Sequence, residues 1–122
     1  MTFLPEEYRE AIDDKIMLDV EISVLQNMIQ KAENEGKDGY KNYLEQILKS
    51  SLNKRMELGK YLKKNGIKIS EPKRTCDMFI EYYYSINING GYKDGYLRYW
   101  DKGIKFRLQK RLNKYFKKDG DE

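Results

Sequence analysis

The 122-residue chain contains no histidine and only one cysteine, Cys76. Without histidine, a Ser-His-Asp or Cys-His catalytic site and acid–base catalysis by imidazole are excluded. A single thiol also excludes an intrachain disulfide and an intrachain zinc site built on several thiolates. We therefore expect a non-enzymatic protein without metal or cofactor, in a reducing compartment, with Cys76 buried as a small apolar side chain.

Long apolar runs are absent as well. No run approaches the roughly 18 residues of a membrane span. The N-terminal segment turns acidic at Glu6 and Glu7 and lacks the basic and apolar regions of a signal peptide. These absences predict a cytoplasmic protein that does not associate with membranes. The length fits one domain, residues 1–122, in which the acidic tail 119–122 is frayed.

Charged residues make up 36% of the chain, which is well above the usual share of about a quarter, and hydrophobic residues 39%. Two long segments carry apolar residues at helical spacing. The first predicted helix spans about 5–34, from Pro5 to a stop at Asn34-Glu35-Gly36. The second spans about 38–64, before the stop signal Asn65-Gly66. Their short connection predicts an antiparallel pair of helices.

Two structures fit the segment 75–89. Its aromatic and β-branched residues between Phe79 and Ile88 favour a strand, and Asn89-Gly90-Gly91 would then turn a hairpin. The spacing of Met78, Phe79, Tyr82, Tyr83 and Ile86 also fits a helix, and a lone hairpin is marginal in a helical protein. We predict a helix over 75–89, with a strand as the alternative.

The last predicted helix covers 94–118. An apolar stripe supports it at Leu97, Trp100, Ile104, Leu108, Leu112 and Tyr115. The predicted fold is therefore all-α: a four-helix up-down bundle with helices at about 5–34, 38–64, 75–89 and 94–118.

A short part of the chain resembles ferritin-like bundles, including those of the spore-coat type. Tyr43-Leu44-Glu45-Gln46-Ile47-Leu48 through Leu62-Lys63-Lys64-Asn65-Gly66-Ile67 is similar to their helix-then-linker pattern. The resemblance implies a helical bundle. It implies no di-iron activity, because the Glu-x-x-His ligands of such families have no counterpart in this chain.

Charge is distributed unevenly along the chain. Residues 1–61 carry nine Lys/Arg and twelve Asp/Glu, whereas residues 62–122 carry fifteen and eight. The segment 93–118 is basic and also contains Tyr96, Tyr99 and Trp100, which predicts a surface that meets an anionic partner. The candidate partner-binding residues are Arg98, Tyr99, Lys102, Lys105, Arg107, Lys110, Arg111, Lys114, Tyr83 and Tyr84.

The sequence favours a small regulatory protein that binds an acidic protein surface. The alternative is an accessory protein that contacts nucleic-acid phosphates with the same basic helix. A third interpretation is that the basic face only neutralises the acidic first helix. The wide apolar face of that helix and the tyrosines leave a homodimer open.

Overall fold

The computed structural model describes residues 4–88 and 90–120, apart from the side chains of residue 88 and residues 117–120. Within this part of the chain there are three helices and one antiparallel sheet of four strands. In chain order the elements are α1 (Glu6–Asn34), α2 (Asp38–Lys64), β1 (Ile67–Ile69), β2 (Lys73–Arg74), β3 (Phe79–Ile88), β4 (Gly91–Trp100) and α3 (Asp101–Gly120).

The prediction of an all-α four-helix bundle is wrong, because the protein has an α+β fold. The first two predicted helices are confirmed as α1 and α2. The predicted helix over 75–89 is instead mainly β3, the alternative that its aromatic and β-branched residues favoured. The predicted helix over 94–118 is divided, since its first residues belong to β4 and only α3 is helical. The bundle implied by the ferritin-like resemblance is therefore not the fold of this chain.

The sheet is organised around β3. β1 and β2 pair with successive parts of one edge of β3, and β4 pairs with the other edge. The β3–β4 hairpin runs from the pair Ile88 and Gly91 to the pair Phe79 and Trp100. Gly90 in the connecting turn has φ +80°, a conformation that glycine adopts without steric cost. The hairpin is not isolated, because α1 covers one of its faces, and this removes the objection to a strand.

A glycine joins the helical pair to the sheet. Gly66 ends α2 with φ +71°, and its carbonyl accepts a hydrogen bond from the Asn87 amide at 3.0 Å. A Cβ at this position would lie 2.5 Å from the Asn87 carbonyl oxygen. Only glycine allows the chain to turn so close to β3, and the turn directs Ile67 into the core at 5% exposure.

Two apolar clusters form the core. One lies between the N-terminal half of α1 and the sheet, and its buried residues are Ala11, Ile12, Ile16, Leu62, Ile67, Tyr82, Tyr84 and Ile86. The other joins the three helices, and its buried residues are Leu25, Ala32, Leu44, Ile47 and Leu112. The sheet therefore packs against the first half of α1, and α3 packs against the second half.

The frayed tail over 119–122 stays a prediction, because α3 extends through Gly120 and residues 121–122 lie outside the described part of the chain. Among the described residues, none of the helices has both the length and the apolar character needed to cross a bilayer.

Candidate functional site

The two faces of the β3–β4 hairpin differ in what they contact. Side chains alternate along a strand, so Tyr82 and Tyr84 turn toward α1, where both are buried. The intervening Tyr83 turns the other way. We call the face turned away from α1 the outer face. Its hairpin residues are Phe79, Glu81, Tyr83, Ser85, Asn87, Tyr92, Asp94, Tyr96, Arg98 and Trp100.

The outer face is rich in exposed aromatic rings. Tyr92 is 60% exposed, Tyr96 67% and Trp100 53%, while Phe79 and Tyr83 are partly buried. Aromatic residues stand opposite each other across the ladder in the pairs Tyr83–Tyr96 and Phe79–Trp100. The Tyr83 and Tyr96 ring centroids are 5.3 Å apart. Contiguous exposed aromatic area of this kind is characteristic of a recognition surface.

Polar and cation–π contacts hold three rings of the outer face, those of Phe79, Tyr83 and Tyr92. The Tyr83 hydroxyl donates to an Asp94 carboxylate oxygen at 2.6 Å and lies 3.0 Å from the Tyr92 hydroxyl. The hydrogen bond to Asp94, followed by the one to Tyr92, raises the pKa of Tyr83 above its ordinary value. Arg98 pairs with Glu81 at 2.9 Å and lies 5.4 Å from the centre of the Phe79 ring. This part of the face is therefore preorganised, which lowers the conformational entropy that it loses on binding.

Two arginines of the basic helix are used inside the fold. Arg107 of α3 donates two hydrogen bonds to the Asp13 carboxylate of α1, and one of them is 3.0 Å long. The Tyr99 hydroxyl donates to the same carboxylate at 2.8 Å. Burial alone would raise the pKa of Asp13, but the hydrogen bonds from Arg107 and Tyr99 lower it below the ordinary value of 3.8. Burial and the bond to Asp13 raise the pKa of Tyr99.

Arg111 has a similar role farther along α3. Its side chain donates to Glu21 of α1 at 2.9 Å, and Glu21 is fully buried. The same carboxylate accepts hydrogen bonds from Ser51 of α2 at 2.5 Å and from Tyr115 of α3 at 2.9 Å. One glutamate thus joins the three helices, and a buried charge needs such a set of partners.

The ten predicted partner-binding residues consequently separate into four groups. Arg98 and Tyr83 lie on the outer face. Tyr84, at 7% exposure, and Tyr99 pack into the core on the opposite face. Arg107 and Arg111 bind the carboxylates of α1. Four lysines remain exposed on α3: Lys102, Lys105, Lys110 and Lys114.

The interpretation that basic residues neutralise the acidic first helix therefore holds for Arg107 and Arg111, whereas Arg98 pairs with Glu81 of β3. It does not hold for the lysines, since no ion pair within the described ranges involves any of the four. Lys110 instead lies 4.7 Å from the centre of the exposed Phe106 ring.

Cys76 is exposed, so the expectation of a buried cysteine is wrong. It lies in the loop between β2 and β3, outside both apolar clusters. Among the described residues, no group of three or more acidic or thiol side chains is arranged to hold a metal ion.

A groove of about 720 Å³ lies beneath the sheet, between α1, α3 and the segment around Pro72. Its apolar lining residues include Val24, Ile80 and Leu108. On its rim, Asp19 is bonded to both Lys15 and Arg55, so these charges are already matched. Lys15 and Arg55 both bind Asp19 on this rim, whereas the outer face presents exposed aromatic residues, which makes the outer face the stronger candidate site.

Sequence reasoning missed most of the outer face. Tyr96 and Trp100 were assigned to a helix, which placed Trp100 on the same stripe as Leu97, although the two residues lie on opposite faces of β4. The signal that would have revealed the face is alternation: aromatic residues at 79 and 83 before the Asn-Gly-Gly turn, and at 92, 96 and 100 after it.

Comparison with known proteins identifies the family of the chain. No curated protein and no solved structure matches the chain. The family described as YhjD protein matches residues 3–120. Because this match covers nearly the whole sequence, the chain belongs to the YhjD protein family.

Proposed function

We propose that this protein is a non-enzymatic binding protein that docks on another protein through the outer face of its sheet. The exposure of Tyr92, Tyr96 and Trp100 on one ordered surface carries the proposal. Burying large aromatic side chains supplies much of the binding free energy at protein interfaces, and Tyr and Trp are enriched among the residues that dominate it.

The charges around the aromatic residues favour a protein as the partner. Lys68 and Lys73 stand opposite outer-face residues of β3, while Glu81 pairs with Arg98 on the same surface. Positive and negative groups are therefore mixed, whereas a nucleic-acid surface would be uniformly basic. Exposed lysines begin just beyond Trp100, at Lys102, so the partner that fits has an apolar centre and an acidic rim.

Site-specific photo-crosslinking tests the proposal. A benzoylphenylalanine replacing Tyr92 samples the outer face, and the same residue replacing Tyr40, which is 44% exposed on α2, is the matched control. We expect a protein adduct in cells that depends on the probe at position 92. The captured protein is identified by mass spectrometry, purified, and titrated against wild type and Trp100→Ala, whose affinity should fall about tenfold or more.

Equal adducts at positions 40 and 92 would contradict the proposal, as would a Trp100→Ala variant that binds the purified partner as tightly as wild type. Met56→Ala, which removes a 56% exposed side chain from α2, controls for nonspecific loss of apolar surface. An adduct formed only between two copies of the chain would also argue against a separate partner on this face.

Nucleic-acid binding is the second candidate function, because Lys102, Lys105, Lys110 and Lys114 are exposed on α3. With Arg107 and Arg111 bound to carboxylates, the lysines would make at most about four phosphate contacts, which predicts weak binding with a shallow salt dependence. Fluorescence anisotropy of a labelled duplex, with wild type and Lys105→Glu/Lys110→Glu, measures this slope.

We further propose a cytoplasmic location, which agrees with the exposed, unpaired thiol of Cys76.

A further inference from the structure

The two edges of the sheet are constructed differently. One edge is formed by β1 and β2, which have three and two residues and are separated by Pro72. Very short strands and proline are features that prevent a sheet edge from pairing with another chain. The other edge is β4, which has ten residues and no proline, and in the described part of the chain it pairs with β3 alone. The edge of β4 therefore lacks both protective features.

Hydrogen bonds on the far side of β3 show which main-chain groups of β4 are free. The Asn87 amide donates to the Gly66 carbonyl, and the Tyr83 carbonyl accepts from the Ser70 amide. The main-chain N–H and C=O groups of the odd-numbered residues of β3 therefore point toward β1 and β2. The main-chain groups of the even-numbered residues of β3 must then point toward β4. Their partners there are odd-numbered, such as Leu97 opposite Tyr82. The amides and carbonyls of the even-numbered residues of β4 therefore face outward from the edge.

These outward-facing residues form a self-complementary series. If two copies of β4 pair antiparallel about a two-fold axis at Tyr96, Asp94 of each copy stands opposite Arg98 of the other. The same register places Tyr92 opposite Trp100 and Tyr96 opposite its own counterpart. All of these residues belong to the set whose main-chain groups face outward, as a hydrogen-bonded ladder requires. Opposite charges and aromatic pairs directly across a ladder are both stabilising.

Other registers lack this complementarity. Displacing one strand by two residues separates Asp94 from Arg98. Displacing it by four places Asp94 opposite Asp94, or Arg98 opposite Arg98, and directly opposed like charges are unfavourable. The sequence of β4 thus favours one register of self-pairing.

We propose that a second copy of this chain binds along β4, so that two four-stranded sheets join into one sheet of eight strands. The two-fold axis is perpendicular to the sheet, and both outer faces therefore lie on the same side as one continuous aromatic surface. This dimer pairs the main chain of β4 and aligns side chains of the outer face, and it does not require the separate partner proposed for that face.

Charge reversal tests the register. Asp94→Arg places two arginines opposite each other at two symmetric positions, and Arg98→Asp does the same with two aspartates. Each variant alone should dimerise about tenfold or more weakly than wild type in sedimentation velocity. An equimolar mixture of the two variants restores Arg–Asp pairs at both positions and should recover the dimer. Glu71→Arg reverses an exposed carboxylate in the segment between β1 and β2, on the opposite side of the sheet from β4, and should not change dimerisation.

Proline substitution tests the main-chain pairing. The Tyr96 amide points away from β3, so Tyr96→Pro removes no ladder bond within the chain but blocks pairing at the centre of the interface. Tyr96→Ala keeps the amide and removes only the ring. We expect Tyr96→Pro to sediment as a monomer under conditions where Tyr96→Ala still dimerises.

Circular dichroism establishes that each variant is folded, and if Tyr96→Pro is not, the charge-reversal mixture decides alone. A wild-type chain that is monomeric at every accessible concentration would overturn the proposal. A dimer that neither charge reversal weakens would also overturn it, because the contact would then lie on another surface.

Discussion

Tyr82 and Tyr83 are neighbours in sequence, yet the structure places them in opposite environments. Tyr82 is 5% exposed and packs edge-on against Tyr99, with ring centroids 5.7 Å apart. Tyr83 lies on the outer face, and its hydroxyl bonds to Asp94. The same side chain therefore stabilises the fold on one face and presents a surface on the other. A strand can separate the two roles at single-residue resolution because its side chains alternate between faces.

Removing each tyrosine in turn should give the largest difference in the free energy of unfolding between the two faces. Tyr82→Ala leaves a cavity between α1 and the sheet, and we expect a loss of about 3 kcal/mol in the free energy of unfolding. Tyr83→Ala removes a partly exposed ring and its hydrogen bond, and should cost about 1 kcal/mol. Urea denaturation followed by circular dichroism measures both. Equal losses would show that the outer face is as important for stability as the inner face.

Glutamate–arginine pairs allow a similar comparison. Glu21 is fully buried and bonded to Arg111, Ser51 and Tyr115, whereas Glu81 on the outer face pairs with Arg98, which is largely exposed. Glu21→Ala leaves three donors without their acceptor, and we expect it to cost about 3 kcal/mol. Glu81→Ala removes a solvent-screened pair and should cost less than about 1 kcal/mol.

The two glutamate variants are compared by the same denaturation experiment, with Glu21→Gln as an intermediate that keeps the volume and removes the charge. If Glu21→Ala were no more destabilising than Glu81→Ala, the buried carboxylate would not be what joins α3 to the other two helices.

Asp13 gives a smaller effect that depends on pH. Its pKa is lowered in the folded state, so its contribution to stability is complete above the unfolded-state value, near 3.8, and is lost as pH falls through the lower folded-state value. Because its partner Arg107 is partly exposed, the loss should be about 1 kcal/mol. The stability of the Asp13→Asn variant should lack this part of the pH dependence, as urea denaturation between about pH 2 and pH 7 would measure. Asp14→Asn removes the same charge without these hydrogen bonds and should retain it.

Local signals in the sequence predicted about half of the fold. α1 and α2 have long apolar periodicity, stop signals and a short connection, and these predicted both helices and their bounds. The hairpin has only ten residues in each strand. Apolar residues at positions such as 79, 82, 83 and 86 satisfy helical spacing, whereas those at 80, 82, 84, 86 and 88 alternate as in a strand. The choice is made by long-range contacts, since α1 covers the inner face of β3, and no single-sequence periodicity contains that information.

The sequence indicated only part of the candidate site. The sequence indicated a basic, aromatic region between residues 93 and 118, and the structure contains exposed aromatic residues and exposed lysines there. It did not reveal that Arg107 and Arg111 are bound to Asp13 and Glu21, because those contacts join residues about ninety positions apart. Charge counts along a chain do not distinguish a cation paired within the fold from one available to a partner.

The smallest expected effect on stability concerns the most exposed ring of the outer face. Tyr96→Ser replaces a side chain that is 67% exposed, so the free energy of unfolding should change by less than about 0.5 kcal/mol. The measurement belongs at a concentration where the chain is monomeric, since self-association would otherwise add to the apparent stability. A loss near that of Tyr82→Ala would mean that Tyr96 supports the sheet through its contact with Tyr83. A negligible loss, together with weaker binding to the purified partner, would show that this ring contributes to recognition rather than to folding.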